Sequence, residues 1–234
     1  MRQVAQIFKK EFKSYFVSPI AYIVISIFLL VTGWFFFATF FMIDQTTLRS
    51  FFTLLPYTFS FIVPAITMRL FSEELSVGSY EILLTMPVTF IDIVLGKFLA
   101  AVLFIGAMLI PTLAYPVCIS FLGQLDWGPV IGGYLGAVML GAAYSAIGLF
   151  ASSLTRNQII AFIIGVTVCL GLTLVDKLLF LVPTSLVDYL QYIGGDFHFQ
   201  NIAKGVIDSR DILYFLSVSF IGLYCANLVM RGKY

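Results

Sequence analysis

The chain has 234 residues, of which 61 % are hydrophobic and 11 % charged, and its formal net charge is +1. A soluble domain of this length could not bury so much apolar surface, so the composition excludes a soluble globular protein and indicates a membrane protein. The cations are dispersed along the chain and form no basic stripe, which argues against nucleic acid as a partner.

Residues 2–17 are predicted to form an amphipathic helix along the membrane surface, because apolar residues recur there at helical spacing. A solvated basic tail that only sets topology is the alternative. The chain should break at Ser18-Pro19, since a residue before proline disfavours the helical conformation. The face of the helix opposite the apolar residues carries the cations Arg2, Lys9, Lys10 and Lys13.

Six uncharged runs follow, each long enough to cross about 30 Å of hydrocarbon as a helix of about 20 residues. They predict an all-α integral membrane protein with one transmembrane domain over residues 1–234. Span 2 contains Pro56 and Pro64, which free backbone carbonyls, so we expect this helix inside the bundle. The spans are predicted at about residues 20–42, 51–70, 95–122, 128–153, 158–182 and 211–230.

The distribution of cations predicts the orientation of the chain. An even number of spans places both termini on one side, and the side richer in Lys and Arg is the cytoplasmic one. Both termini are therefore predicted to be cytoplasmic. Nine of the 13 cations fall on that side, namely Arg2, Lys9, Lys10, Lys13, Arg69, Lys97, Arg156, Arg231 and Lys233.

Spans 4 and 5 each carry a ridge of small residues at four-residue spacing, which lets helices approach closely. We interpret the ridges as packing within one subunit, with a dimer seam as the alternative. Cys118, Cys169 and Cys225 have no paired spacing and are expected to be packing residues. The ridges are Gly133, Ala137, Gly141 and Ser145 in span 4, and Ala161, Gly165, Cys169 and Thr173 in span 5.

The segment 176–211 between spans 5 and 6 is too apolar for an aqueous loop. It predicts re-entrant or interfacial helices, one near residues 186–193 and one near 197–207. We expect His198 to be a solvated or interfacial imidazole, and we explain the Asp176-Lys177 pair by snorkelling of the lysine. Asp208 and Asp211 favour the start of span 6, because carboxylates suit a helix N-terminus.

The most polar loop runs from Arg69 to Lys97, between spans 2 and 3. Gly78 allows a sharp turn, and Ser79 is placed to cap a short helix that Pro87 must end. Thr89 and Asp92 predict a capping-box-like start for span 3.

The predicted short helix, Tyr80–Thr85, would expose an apolar knob formed by Tyr80, Leu83 and Leu84 beside Glu81. Such a knob suits a groove on a soluble partner. A helix that lies on the membrane and binds nothing is the alternative.

The sequence contains no residue pattern that indicates catalysis or ion conduction. The chain has no nucleotide-binding loop, nucleophile elbow or Cys/His cluster, so we expect no catalytic residue, metal site or cofactor. The span interiors lack ionisable residues, which argues against an ion path. No internal repeat is visible, and this lowers the expectation of an inverted-repeat transporter.

Residues 72–100, SEELSVGSYEILLTMPVTFIDIVLGKFLA, resemble the loop-two signature of ABC type-2 transporter permeases. That signature combines an acidic pair, a Gly-Ser/Thr-x-Glu-x-Leu-Leu core and a Pro-Val-Ser/Thr turn before span 3. The basic first helix, the six spans and the segment HFQNIAKGVIDSRDILYFLS extend the resemblance over most of the chain. Within the family, the sequence looks closest to permeases of gliding-motility-type systems, and next to those of nitrous-oxide-reductase maturation systems.

The resemblance implies the permease subunit of an ABC exporter in a bacterial inner membrane, working as a dimer. ATP and Mg would be bound by a separate cytoplasmic ABC ATPase dimer. Further implied partners are a second permease copy or a permease-like auxiliary subunit, and membrane lipid. An ATP-driven mechanotransmission component that acts on a periplasmic or membrane partner is the alternative.

The resemblance also implies a coupling helix at residues 79–87 that engages the ATPase. Glu73 and Glu74 would support its approach, and Tyr80 belongs to its exposed knob. Carried over position by position, the coupling residues are Gly78, Ser79, Glu81, Leu83, Leu84, Thr85 and Pro87.

Overall fold

The computed structural model describes residues 2–43, 47–78, 89–123, 125–178, 187, 191–206 and 208–233. Within these ranges the regular secondary structure is entirely helical, and six helices are long and apolar enough to cross a membrane, which confirms the predicted all-α membrane architecture. The helices are α1 (Arg2–Val17), α2 (Pro19–Ile43), α3 (Arg49–Thr67), α4 (Arg69–Val77), α5 (Phe90–Leu109), α6 (Ala114–Leu122), α7 (Trp127–Leu154), α8 (Gln158–Leu178), α9 (Gly195–Ala203) and α10 (Ser209–Gly232).

The predicted amphipathic helix is confirmed as α1, and the break at Ser18-Pro19 separates it from α2. Its apolar face packs against α5. A Cβ atom at Gly96 would lie 2.8 Å from Ile7 Cγ2, so the missing side chain permits this close approach. Lys9, Lys10 and Lys13 are exposed. The apolar side of α1 is therefore used for contact with span 3, and its basic side is free to face a membrane or a partner.

Span 2 is formed by α3 and α4, which meet at a turn at Met68. Pro56 and Pro64 both lie inside α3 and both are buried. This confirms that the proline-containing helix is packed inside the bundle, where neighbouring helices can satisfy the backbone groups that proline frees.

The small-residue ridges of spans 4 and 5 pack within the chain. A Cβ atom at Gly133 of α7 would overlap the ring of Phe52, and one at Gly165 of α8 would lie 3.1 Å from Pro64 Cβ. The interpretation as packing within one subunit is thereby confirmed. Cys169, in the α8 ridge, is a buried free thiol.

Helix α5 begins at Phe90, directly after the predicted cap at Thr89 and about five residues before the predicted start of the membrane span, so Lys97 lies two turns into a helix and not in a loop. A short 3-10 helix at Ile110–Leu113, which contains Pro111, interrupts the span before α6. This break follows from proline, because its ring cannot continue the hydrogen-bonding pattern of an α-helix.

Helix α9 is the second of the two short helices expected between spans 5 and 6, whereas most of the first lies outside the described residues. The expectation of a solvated or interfacial His198 is wrong, since its side chain is 3 % exposed. Its Nδ1 lies 2.6 Å from Asp211 Oδ1, and its Nε2 lies 3.0 Å from the carbonyl oxygen of Tyr192. The imidazole is buried because α9 folds back against the start of α10.

An ion pair joins α8 to α9. Lys177 Nζ lies 3.3 Å from Asp196 Oδ2, and the aspartate is buried while the lysine is largely exposed. The lysine therefore reaches a protein carboxylate, which snorkelling alone does not explain. Asp208 accepts a hydrogen bond from the backbone N–H of Arg210, which confirms its predicted place at the start of span 6.

These contacts define two faces of the bundle. The face that carries α1, α4 and Lys233 is called the terminal face, and there Lys233 Nζ donates to the carbonyl of Ser153 at the end of α7. The opposite face, which carries Arg49, Asp126 and α9, is called the far face.

Candidate functional site

The two residues that flank segment 79–88, Gly78 and Thr89, mark the ends of α4 and α5 on the terminal face. Helix α4 ends at Gly78, whose φ of 77° is a left-handed conformation that glycine adopts without a Cβ clash. Helix α5 starts with the predicted capping box: the Asp92 N–H donates to Thr89 Oγ1 and the Thr89 N–H donates to Asp92 Oδ2. The segment therefore leaves and rejoins the bundle at fixed points.

The predicted coupling helix lies within this segment and outside the described residues. It remains a prediction, as do the roles carried over to it. The residues concerned are Ser79, Tyr80, Glu81, Leu83, Leu84, Thr85 and Pro87.

Lys97 joins three helices beside these two end points. Its side chain is 1 % exposed, and its Nζ lies 3.1 Å from Glu11 Oε1 on α1 and 2.8 Å from Glu74 Oε1 on α4. The Phe71 ring centroid lies 5.4 Å from the same nitrogen, within the range of a cation–π contact. A buried ammonium group is tolerated only where it is paired, and here two carboxylates share it. We call Glu11, Glu74 and Lys97 the Lys97 bridge.

A second link between α1 and span 2 involves Tyr15. The Arg69 guanidinium carbon lies 5.3 Å from the centroid of the Tyr15 ring, and the Tyr15 hydroxyl donates to the carbonyl of Ile66 at 3.4 Å. Burial raises the pKa of the Tyr15 phenol, and the nearby Arg69 opposes this effect only in part. The hydroxyl therefore stays protonated and acts as a donor at neutral pH.

The turn between α3 and α4 is held by Ser152 of α7. Its hydroxyl accepts hydrogen bonds from the backbone N–H groups of Phe71 and Ser72, both at 3.0 Å, and donates to the carbonyl of Met68 at 2.6 Å. The first N–H groups of a helix lack partners within the helix, so a side chain from another helix satisfies them here. Span 4 is thereby fixed to the base of α4.

A polar cavity of about 300 Å³ lies between α1, α4 and α5. Its charged lining is balanced in number, with three cations and three carboxylates, so the cavity suits the charged side chains of a protein loop better than an apolar cargo. The charged lining residues are Lys10, Arg69, Lys97, Glu11, Glu73 and Glu74.

Three residues that the sequence assigned to coupling lie in the described part of this region, and their role in coupling stays a prediction. Glu74 belongs to the Lys97 bridge, Glu73 is exposed at the rim of the cavity, and Gly78 ends α4. Glu11 was missed because it stands among the cations of α1. Its spacing could have identified it, since residues 7, 11 and 15 fall on one helical stripe that faces the protein. The role of Ser152 had no such signal, because a serine in an apolar span is common.

A comparison with protein families finds a match over most of the chain. A family model described as an ABC-2 family transporter protein matches residues 6–230, which takes in part of α1 and all six spans with the exception of the last residues of α10. A comparison with curated proteins found no match.

Proposed function

The chain belongs to the ABC-2 transporter family, and from this premise we propose that it is the permease subunit of an ABC exporter driven by a separate cytoplasmic ATPase. Members of this family are the membrane components of transporters. The six long apolar helices make this chain a multi-pass membrane protein. The finer proposal places the ATPase on the terminal face, at segment 79–87.

The Lys97 bridge is the observation that supports this proposal most strongly. Glu74 lies on the helix that leads into segment 79–88, and Lys97 lies on the helix that leads out of it. Glu11, on helix α1, pairs with the same ammonium group of Lys97. A push on the segment would therefore be shared by α1, span 2 and span 3. Helices that are linked in this way can move together as a rigid body, and such a movement can pass from an ATPase to the bundle.

Ser152 would carry the movement further. It binds α4 at the turn where span 2 changes from α3 to α4, and it belongs to α7, which is largely buried inside the bundle. A displacement of α4 would thus move span 4 as well as span 3.

The proposed assembly is a permease dimer, or a pair with a related auxiliary subunit, on a cytoplasmic ABC ATPase dimer that binds ATP and Mg. We place it in a bacterial inner membrane with both termini in the cytoplasm. A gliding-motility-type system is the proposed subfamily, on the residues of segment 72–100.

The proposal is tested by purifying the tagged chain from its native membranes in mild detergent, with mass spectrometry and an ATPase assay on the material that co-purifies. We expect a nucleotide-binding subunit that the Glu81→Lys variant releases. Arg210→Gln, a change to an exposed cation on the far face, should retain it. A chain that purifies without any ATPase, or an ATPase that Glu81→Lys retains with full activity, would contradict the coupling role of this segment.

A second candidate function is ATP-driven force transmission to a partner at the far face, with nothing translocated. It is favoured by the fixation of α9, which is joined to α8 by the Lys177–Asp196 pair and to α10 by the His198–Asp211 pair. Reconstituted complexes distinguish the two functions. ATP-dependent loss of a lipid-like cargo from the donor leaflet supports export, whereas ATP hydrolysis that depends on a far-face partner without such loss supports force transmission.

A further inference from the structure

A mainly apolar cavity of about 390 Å³ lies on the far face, where α3 and α7 begin and α9 ends. Its apolar walls include Phe52, Pro129, Val130 and Ala203. This volume falls in the range of sites that bind small molecules, which is about 300–1,000 Å³. Most of the lining is apolar, so an occupant must present an apolar part.

The rim of this cavity is positively charged. Arg49 and Lys204 both line it and both are exposed, and neither side chain has an ion pair or hydrogen bond with the residues that the structure describes. Asp126 also lines the cavity, but its Oδ1 accepts the N–H of Gly128 at 3.1 Å as the N-cap of α7. One of its two carboxylate oxygens therefore caps its own helix.

The N-terminus of α3 adds to this positive charge. Leu48 occupies the N-cap position and has no side-chain oxygen, so it leaves the first N–H groups of the 19-residue helix without a side-chain cap. These N–H groups and the helix dipole favour an anion at this end of the helix. The guanidinium of Arg49 belongs to the same first turn. Three positive features, two side chains and one helix terminus, therefore meet at one rim.

Close backbone contacts hold Lys204 in this place. Gly205, with a φ of 86°, follows it, and a Cβ atom there would lie 3.2 Å from Pro129 N. A Cβ atom at Gly132 would overlap the carbonyl oxygen of Ile202. The end of α9 is thus packed directly on the backbone of α7. This packing fixes the backbone of the cavity wall that carries Lys204.

The position of the cavity at the start of two spans places it where the membrane surface is expected. The first span residues of α3 and α7 are at its rim, and Trp127, the first residue of α7, is 52 % exposed. Exposed tryptophans at the ends of spans favour the headgroup region. At this depth the charged rim meets headgroups, and the apolar walls meet acyl chains.

We propose that this cavity binds an anionic phospholipid of the leaflet at the far face. The phosphate lies between Arg49, Lys204 and the N-terminus of α3, and part of an acyl chain lies against Phe52 and Val130. The inference goes beyond the proposed export function and does not depend on ATPase coupling. A bilayer supplies this ligand wherever the protein resides.

The test uses the full-length chain in detergent micelles and native mass spectrometry. Dioleoyl phosphatidylglycerol is titrated against dioleoyl phosphatidylcholine, which has the same acyl chains and no net charge. We expect tighter binding of phosphatidylglycerol. Arg49→Gln and Lys204→Gln should each weaken it about tenfold, the value of one charge-assisted hydrogen bond.

Arg210→Gln is the matched control, because Arg210 is an exposed cation on the far face that does not line the cavity. Its affinity for phosphatidylglycerol should equal that of the wild type. Lys204→Gln changes an exposed residue after the last turn of α9, so it keeps the test valid if Arg49→Gln fails to fold.

Three results would overturn the proposal. The first is equal binding of the two phospholipids. The second is an equal loss of affinity in Arg210→Gln and Lys204→Gln, which would indicate a general effect of surface charge. The third is displacement of phosphatidylglycerol by inorganic phosphate at the same concentration, which would show that the apolar walls contribute nothing.

Discussion

The ammonium group of Lys97 lies 2.8 Å from the carboxylate of Glu74, across the segment that links spans 2 and 3. Both side chains are largely removed from solvent, and Glu11 reaches the same nitrogen from α1. The pair therefore closes the base of the segment that we propose as the ATPase contact. Its loss should affect folding stability and coupling together.

Lys97→Met should destabilise the protein by about 3–5 kcal/mol, because two half-buried carboxylates lose the buried cation that they share. Thermal unfolding of the purified chain in one detergent measures the change. The triple variant Glu11→Met, Glu74→Met, Lys97→Met should recover much of the loss, since no unpaired charge remains. Lys13→Met, an exposed cation on the same α1 helix, is the control and should unfold as the wild type does. Equal stability of Lys97→Met and Lys13→Met would contradict the role of the bridge.

Ser152 and Ser153 offer a matched pair for the turn between α3 and α4. Both are buried, but Ser152 binds the backbone of α4, whereas Ser153 donates only to the carbonyl of Phe150 in its own helix. Ser152→Ala should reduce the free energy of unfolding by about 1–3 kcal/mol, because buried N–H groups lose their partner. Ser153→Ala should change it by less than half of that amount.

The two serine variants also test transmission. In a reconstituted complex, Ser152→Ala should lower the ATPase activity that the permease stimulates, while Ser153→Ala should retain it. If the two variants behave alike in both measurements, α7 does not follow the movement of α4.

The sequence was sufficient for the pattern of spans and for local helix ends. Uncharged runs located six spans, and Thr89 with Asp92 located the start of α5, because both signals depend on neighbouring residues in the chain. It was insufficient for contacts between distant elements. Glu11 and Lys97 are 86 residues apart, and the polarity of each gives no sign of the other.

His198 shows the same limit on the far face. A histidine beside two phenylalanines in an apolar loop is typical of an interfacial residue, and only the fold brings Asp211 to it. The distance along the chain is short, but the contact depends on how α9 turns back onto α10. Local patterns therefore predicted the helix and not the partner of its imidazole.

His198→Phe should destabilise the protein by about 3 kcal/mol, because Asp211 would be left as a buried carboxylate without its partner. Phenylalanine keeps an aromatic ring that can stack on Tyr214, so the change reports mainly on the lost polar contact. The double variant His198→Phe, Asp211→Leu should be more stable than His198→Phe alone. Chemical denaturation of the four proteins in a double-mutant cycle gives the coupling. Additive effects would mean that the two residues do not interact.

Tyr15→Phe should change how stability depends on pH. Burial raises the pKa of the Tyr15 phenol above its ordinary value of 10.0, so the folded protein keeps a proton that the unfolded chain releases. This contribution is fully present below pH 10 and decreases as the pH rises above 10, because the unfolded state then binds fewer protons. The wild type should therefore lose stability above pH 10 more steeply than Tyr15→Phe, which has no proton to release at this position. At pH 8 the variant should be less stable by about 1 kcal/mol, through the lost hydrogen bond to Ile66. Unfolding midpoints of both proteins between pH 8 and pH 11 measure the difference, and parallel curves would show that the phenol is accessible to solvent in the folded state.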